Sequence, residues 1–194
     1  MSTGEGKQLR SLCVFCGSSS GSASVYREAA ERVGRELARR DVRLVYGGGN
    51  VGLMGVLADA VLGAGGRVIG VIPKGLVSRE LAHRGLTELH VVETLHERKL
   101  RMAALADAFL ALPGGLGTMD ELFEVLTWAQ LGYTAKPCGI LDVCGYFRPL
   151  LEFLEKMVRE GFLASEHRAL VRSGGEIGPL LETLELLVAK GSPS

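Results

Sequence analysis

Short apolar runs alternate along the chain with longer segments whose apolar residues recur every three to four positions. The first run, 12–17, reads Leu-Cys-Val-Phe-Cys-Gly and leads into a helical pattern over 23–39. The same succession returns at 43–46 followed by 53–62, at 89–92 followed by 95–106, at 108–112 followed by 118–130, and at 138–141 followed by 147–159. A further run, 67–72, stops at Pro73. Runs this short and this apolar suit strands buried on both faces, and a helix between two strands returns the chain so that the second lies parallel to the first. The pattern predicts right-handed βαβ units, and so a single doubly wound, Rossmann-like α/β domain with a mainly parallel central sheet flanked by helices, over 8–190. Residues 1–7 are polar, lack the basic-then-apolar order of a secretory signal, and read as a disordered lead.

That architecture says where to look for chemistry. In open α/β sheets the ligand lies beyond the carboxyl ends of the strands, where the strand-to-helix loops converge. Three such loops here are rich in small residues: Gly17-Ser18-Ser19-Ser20-Gly21, Gly47-Gly48-Gly49-Asn50-Val51-Gly52 and Pro113-Gly114-Gly115-Leu116-Gly117-Thr118. A glycine loop entering a helix lets backbone N–H groups point at one spot without Cβ atoms in the way, and the helix N-terminus adds about half a positive charge. A single glycine more often serves only to turn the chain. Three loops on one sheet edge instead make Gly17, Ser18, Gly48, Gly49, Gly114, Gly115, Gly117 and Thr118 candidate contacts for a phosphate. The second loop also fits G-x-G-x-x-G, but the dinucleotide reading requires that loop after the first strand and an acidic residue closing the next one, which here ends in Ile72-Pro73-Lys74.

Composition narrows the field. With 22 basic and 22 acidic side chains the net charge is zero, so no global field recruits nucleic acid or an anionic membrane. No apolar run has the length of a membrane span, since Gly65, Gly66 and Arg67 break the best candidate, and a cytoplasmic protein is expected. Cys13 and Cys16 have the spacing of a redox pair but lie inside a predicted strand, where positions i and i+3 face opposite sides; all four cysteines are expected to be reduced. The four histidines show no zinc-like spacing, and no metal is expected.

Two charged groups flank the third loop. Thr118-Met119-Asp120-Glu121 has the form of a capping box, in which Glu121 would bond back to the Thr118 N–H. The alternative is a carboxylate that points into the cleft from the first turn of the phosphate-binding helix. His96-Glu97-Arg98-Lys99 opens another helix and could deliver Arg98 and Lys99 to the same cleft, although charges at a helix start are commonly a solvated face.

The stretch from Pro113 to Glu121 resembles the P-G-G-x-G-T-x-x-E signature of the LOG (LONELY GUY) family, the cytokinin riboside 5′-monophosphate phosphoribohydrolases. The similarity extends through 14–21, 46–55, 71–74, 97–102 and 127–132, with Leu95 where the family often has Met. The resemblance implies hydrolysis of the N-glycosidic bond of N6-substituted adenosine 5′-monophosphates, and often of AMP, to the free base and ribose 5-phosphate. It implies Arg98 and Glu121 as the catalytic pair, Gly114 to Thr118 as the phosphate loop, Glu80, Lys99 and Thr127 as further substrate contacts, and no cofactor. Breaking this bond builds positive charge on the ribose ring, so a fixed carboxylate stabilises the oxocarbenium-like state and can orient water.

Related sequences carry a lysine decarboxylase label, a chemistry that needs pyridoxal phosphate on a lysine. Six lysines spread over the chain do not support it. A non-catalytic rival, a nucleotide-binding or molybdenum-cofactor carrier protein, would use the same loops without needing Arg98 and Glu121. The helix over 118–130 carries Leu122, Phe123, Leu126 and Trp128, more apolar surface than one sheet face requires, and with the resemblance this predicts a homodimer.

Overall fold

The computed structural model describes residues 8–77 and 82–191. Seven strands form one sheet in the order β4-β3-β2-β1-β5-β6-β7, and every neighbouring pair is parallel. They are β1 (Ser11–Phe15), β2 (Arg43–Tyr46), β3 (Val68–Pro73), β4 (Glu88–Val92), β5 (Ala108–Ala111), β6 (Cys138–Leu141) and β7 (Val171–Gly174). The helices are α1 (Ser24–Arg39), α2 (Gly52–Gly63), α3 (Lys74–Val77), α4 (Leu95–Leu105), α5 (Leu116–Gln130), α6 (Arg148–Arg159), α7 (Ser165–Arg168) and α8 (Ile177–Lys190). The doubly wound sheet expected from the sequence is therefore present, and among the described residues no helix is long and apolar enough to cross a membrane.

The two faces of the sheet carry separate cores. Leu12, Val14 and Cys16 join Val33, Leu37, Leu57, Val61, Leu181 and Leu184 on the face covered by α1, α2 and α8. Cys13 and Phe15 join Met102, Leu122, Val125 and Leu154 on the face covered by α4, α5 and α6. The alternation along β1 thus separates Cys13 from Cys16 across the sheet, as their spacing in a strand implied, and all four cysteines are free thiols. Burial drives the thiol of Cys13 well above its usual range and that of Cys138 up to about 12, which makes both inert packing groups.

Two elements at the C-terminal end were not foreseen. The edge strand β7 reads Val-Arg-Ser-Gly, with only Val171 buried, so its sequence lacks an apolar run. Behind it α8 closes the first core with Leu180, Leu181, Leu184 and Val188. The order of strands places the site: β1 sends the chain out toward β4, and β5 returns to pair with β1 on its other side. The loops after β1 and β5 consequently diverge at their carboxyl ends and leave a crevice, the switch point of an open α/β sheet.

Candidate active site

A cavity of about 360 Å³ occupies that crevice, lined by residues from all three glycine-rich loops together with Arg98 and Glu121. The two loops at the switch point are tied directly: the Gly17 N–H donates to the Pro113 carbonyl at 3.1 Å, and the Gly17 carbonyl accepts the Leu53 N–H at 3.0 Å. Gly114 stands where they meet. A Cβ there would lie 2.1 Å from Thr118 Oγ1 and 2.7 Å from the Gly17 nitrogen, so only glycine allows the approach.

The helix that follows begins earlier than the capping-box reading requires. Its N-cap is Gly115, no side chain caps it, and Thr118 is already its third residue. Glu121 therefore lies beyond the first turn, too far along α5 to serve as a cap, and that reading is corrected. The T-x-x-E that does cap a helix is Thr94 to Glu97, where Thr94 Oγ1 accepts the Glu97 N–H at 3.1 Å and Glu97 accepts the Glu93 N–H at 2.9 Å. The first N–H groups of α5, on Leu116, Gly117 and Thr118, belong to residues that line the cavity, and with the helix dipole they favour an anion there.

Glu121 is buried, with its Oε1 3.3 Å from Arg98 Nη1. Burial pushes its carboxyl above the ordinary carboxylate range, and the Arg98 guanidinium opposes that rise. Arg98 reaches the site from the second turn of α4 and is aimed by a further bond, Nε to the Val71 carbonyl at 3.2 Å. Its path depends on Gly47, where a Cβ would fall 1.9 Å from Nη2. Two helices on one face of the sheet thus bring an arginine and a carboxylate together beside an uncapped helix N-terminus.

The other expected site residues divide. Gly17, Ser18, Gly49, Gly115, Gly117 and Thr118 line the cavity. Gly48 turns the chain at φ 74° and faces Val71 and Ile72 behind the rim. Lys99 is not among the lining residues; its Nζ lies 3.0 Å from Asp120 and 3.1 Å from Glu124, bridging α4 to α5 outside the cavity. Thr127 is exposed and donates to the Phe123 carbonyl at 2.7 Å along its own helix. Glu80 lies outside the described residues. Among the described residues no lysine lines the cavity, so these residues offer no amine for pyridoxal phosphate. Sequence reasoning missed the apolar wall of Val51, Met54, Ile72 and Leu76, whose signal was apolar side chains inside or just after the glycine loop and β3.

Comparison with known proteins identifies the family and the fold. The family model described as "Possible lysine decarboxylase" matches residues 54–184. A cytokinin riboside 5′-monophosphate phosphoribohydrolase of Arabidopsis thaliana, LOG2, is 48% identical over 183 residues, covering 94% of this chain and 86% of the relative. A probable cytokinin riboside 5′-monophosphate phosphoribohydrolase of Oryza sativa subsp. japonica, LOGL9, is 51% identical over 178 residues, covering 92% of this chain and 78% of that one. Among solved structures, the molybdenum cofactor carrier protein of Chlamydomonas reinhardtii superposes with a TM-score of 0.72 over 94% of this chain and 99% of the carrier, at 20% identity, a likeness of fold alone. With half of its residues shared over almost its whole length, and with the P-G-G-x-G-T-x-x-E stretch forming the crevice wall, the chain belongs to the LOG family of phosphoribohydrolases.

Proposed function

We propose that this protein is a nucleoside 5′-monophosphate phosphoribohydrolase that cleaves the N-glycosidic bond of N6-substituted adenosine 5′-monophosphates, and of AMP, to the free base and ribose 5-phosphate. The observation that carries the reading is the Arg98–Glu121 pair, 3.3 Å apart, with the Glu121 carboxylate buried beside the uncapped N-terminus of α5. The 5′-phosphate accepts hydrogen bonds from the first N–H groups of α5 and from the loop after β1, which sets the ribose over Glu121. As the bond between C1′ and the base nitrogen lengthens, positive charge grows on the ribose ring and the Glu121 carboxylate stabilises it. Water then bonds to C1′, its proton passes to the carboxylate, and the base leaves with the bonding pair and takes up a proton. Arg98 keeps Glu121 ionised against its burial and fixes its direction.

The substrate contacts expected of Lys99, Thr127 and Glu80 form part of the proposal; Lys99 reaches a ligand only by leaving Asp120 and Glu124. A cytoplasmic homodimer is proposed as well. Of the four apolar side chains expected to make a second face, Leu122 is fully buried, and Leu126 and Trp128 pack against the core beneath α5. Exposed apolar side chains around α4 and α5 include instead Leu95, Leu100, Leu116, Phe123, Leu131 and Tyr133. A monomeric mass by light scattering at micromolar protein would reject the dimer.

Incubation with AMP, adenosine and N6-isopentenyladenosine 5′-monophosphate, followed by chromatography of the bases, tests the function. Both nucleotides should release base and ribose 5-phosphate, with kcat/KM for adenosine lower than for AMP by about a hundredfold, because binding of the remote phosphate positions the reacting bond. Equal values for adenosine and AMP would remove the phosphate loop from the account.

A further inference from the structure

The segment after β6 is bent into a conformation that L-residues resist. Cys144 stands at φ 51°, one of two non-glycine residues with positive φ among the described residues, and Gly145 follows at φ 74°. Backbone held there against its own preference is held by something else. Asp142 Oδ1 accepts the Phe147 N–H at 2.7 Å, the Asp142 N–H donates to the Gly174 carbonyl at 2.9 Å, and Phe147 is buried. The bend carries Tyr146 to the phosphate loop, where its hydroxyl donates to the Gly114 carbonyl at 2.6 Å. Its ring meets Phe147 edge-on at 5.1 Å and Tyr26 edge-on at 5.7 Å. Tyr26 in turn lies against the loop after β1, its ring only 2.8 Å from where a Cβ on Gly21 would be. One aromatic pair therefore touches both loops of the switch point from outside the cavity.

We propose that Tyr146 is a positioning residue for the 5′-phosphate: its hydrogen bond to the Gly114 carbonyl fixes the plane of the Gly114–Gly115 peptide and so directs the Gly115 N–H at the head of α5. The carbonyl and the N–H belong to one peptide unit, so a donor on the oxygen polarises the N–H at the cavity rim as well as orienting it. The loop has freedom to lose, because the peptide in question joins two glycines, whose backbones are the least restricted. Freed of its tether, such a loop samples orientations in which its N–H groups no longer converge.

The inference rests on the phosphoribohydrolase reading for its substrate, and Tyr146→Phe tests it with a readout independent of catalysis. Phenylalanine keeps the ring contacts with Tyr26 and Phe147 and removes only the hydroxyl. Calorimetric affinities for AMP and ribose 5-phosphate should both weaken by about tenfold, and KM for AMP should rise in proportion while kcat stays within about twofold. The kcat/KM for adenosine, which has no phosphate to place, should be unchanged, as should every constant in the control Tyr26→Phe. Unaltered affinity for both phosphates in folded Tyr146→Phe would overturn the proposal, and so would an equal loss for adenosine and AMP. If the unmodified protein releases no base from AMP, the hydrolase reading fails, whereas the affinity comparison still decides the role of Tyr146.

Discussion

At the amino end of the sheet Glu36 meets Arg39 and Arg40; at the carboxyl end Glu121 meets Arg98. The first carboxylate accepts Arg39 at 2.8 and 2.7 Å and Arg40 at 2.7 Å, and Arg40 also lies 3.1 Å from both oxygens of Glu185. Hydrogen bonding to Arg39, aided by Arg40, draws the Glu36 carboxyl down to about 2. Among the described residues Glu121 has a single arginine contact, at 3.3 Å, and its burial moves the carboxyl the opposite way. The same two residue types thus make a satisfied cluster that ties α1 to α8 and an under-satisfied one that faces a cavity. A carboxylate already accepting three hydrogen bonds from guanidinium groups has little left to offer a developing cation, whereas one held in low dielectric beside Arg98 does.

Removing each arginine should separate the two regions most widely. Arg98→Ala should lower base release from AMP by about a hundredfold with a small change in melting temperature. Arg40→Ala should leave turnover within about twofold and lower the melting temperature by roughly 5 °C, since Glu36 and Glu185 then lose a shared partner worth about 2 kcal/mol. If the two substitutions shift stability and turnover alike, the contrast is lost. A smaller effect is expected from Gly47→Ala, whose Cβ would strike Arg98 Nη2: displacing the guanidinium should cost about tenfold in kcat. Gly63→Ala, with nothing within 4 Å of its Cβ position, should cost nothing.

The T-x-x-E motifs show how much of this was legible. Thr94 to Glu97 and Thr118 to Glu121 are alike as strings, and the chain gave no local reason to treat one as a cap and the other as a site. What separates them is where each helix begins. The second starts at Leu116, 90% exposed, followed by Gly117, two positions that read as loop because nothing packs on the one and the other disfavours helix. The strands themselves, by contrast, were readable at β1, β2, β5 and β6, since buried strands are apolar without interruption, whereas their order in the sheet was not; β7 escaped because an edge strand need not be apolar. Arg98 and Glu121 could be nominated from spacing and resemblance, but the Val71 carbonyl and the Gly47 gap that aim the arginine exist only once distant segments are packed. Tyr146 carried no signal at all: its partner is 32 residues away and is a backbone atom.

Acidification should produce the smallest difference, and of opposite sign at the two ends. The Glu36 carboxyl is lower in the folded than in the unfolded chain, so its contribution is complete above its ordinary 4.5 and fades as pH falls toward about 2. Glu121 is higher in the folded chain, so its ionisation works against folding once pH rises past the ordinary carboxylate range, and that penalty is relieved on acidification. Melts across this range should show a shallower acid loss in Glu36→Gln than in the unmodified protein, and a steeper one in Glu121→Gln. Matching curves for the two variants would mean that the two carboxylates sit in equivalent surroundings.

The central claim is that the charge of Glu121, and not its shape, drives the cleavage of the glycosidic bond. Single-turnover release of adenine from AMP, measured side by side for the unmodified protein and Glu121→Gln, addresses it directly, with AMP affinity and melting temperature recorded on the same samples. Glutamine keeps the size of the side chain and a polar oxygen beside Arg98, so the variant should fold and bind AMP within about threefold while the cleavage rate falls by about a hundredfold or more. A folded, AMP-binding Glu121→Gln protein that releases adenine at the unmodified rate would contradict the account.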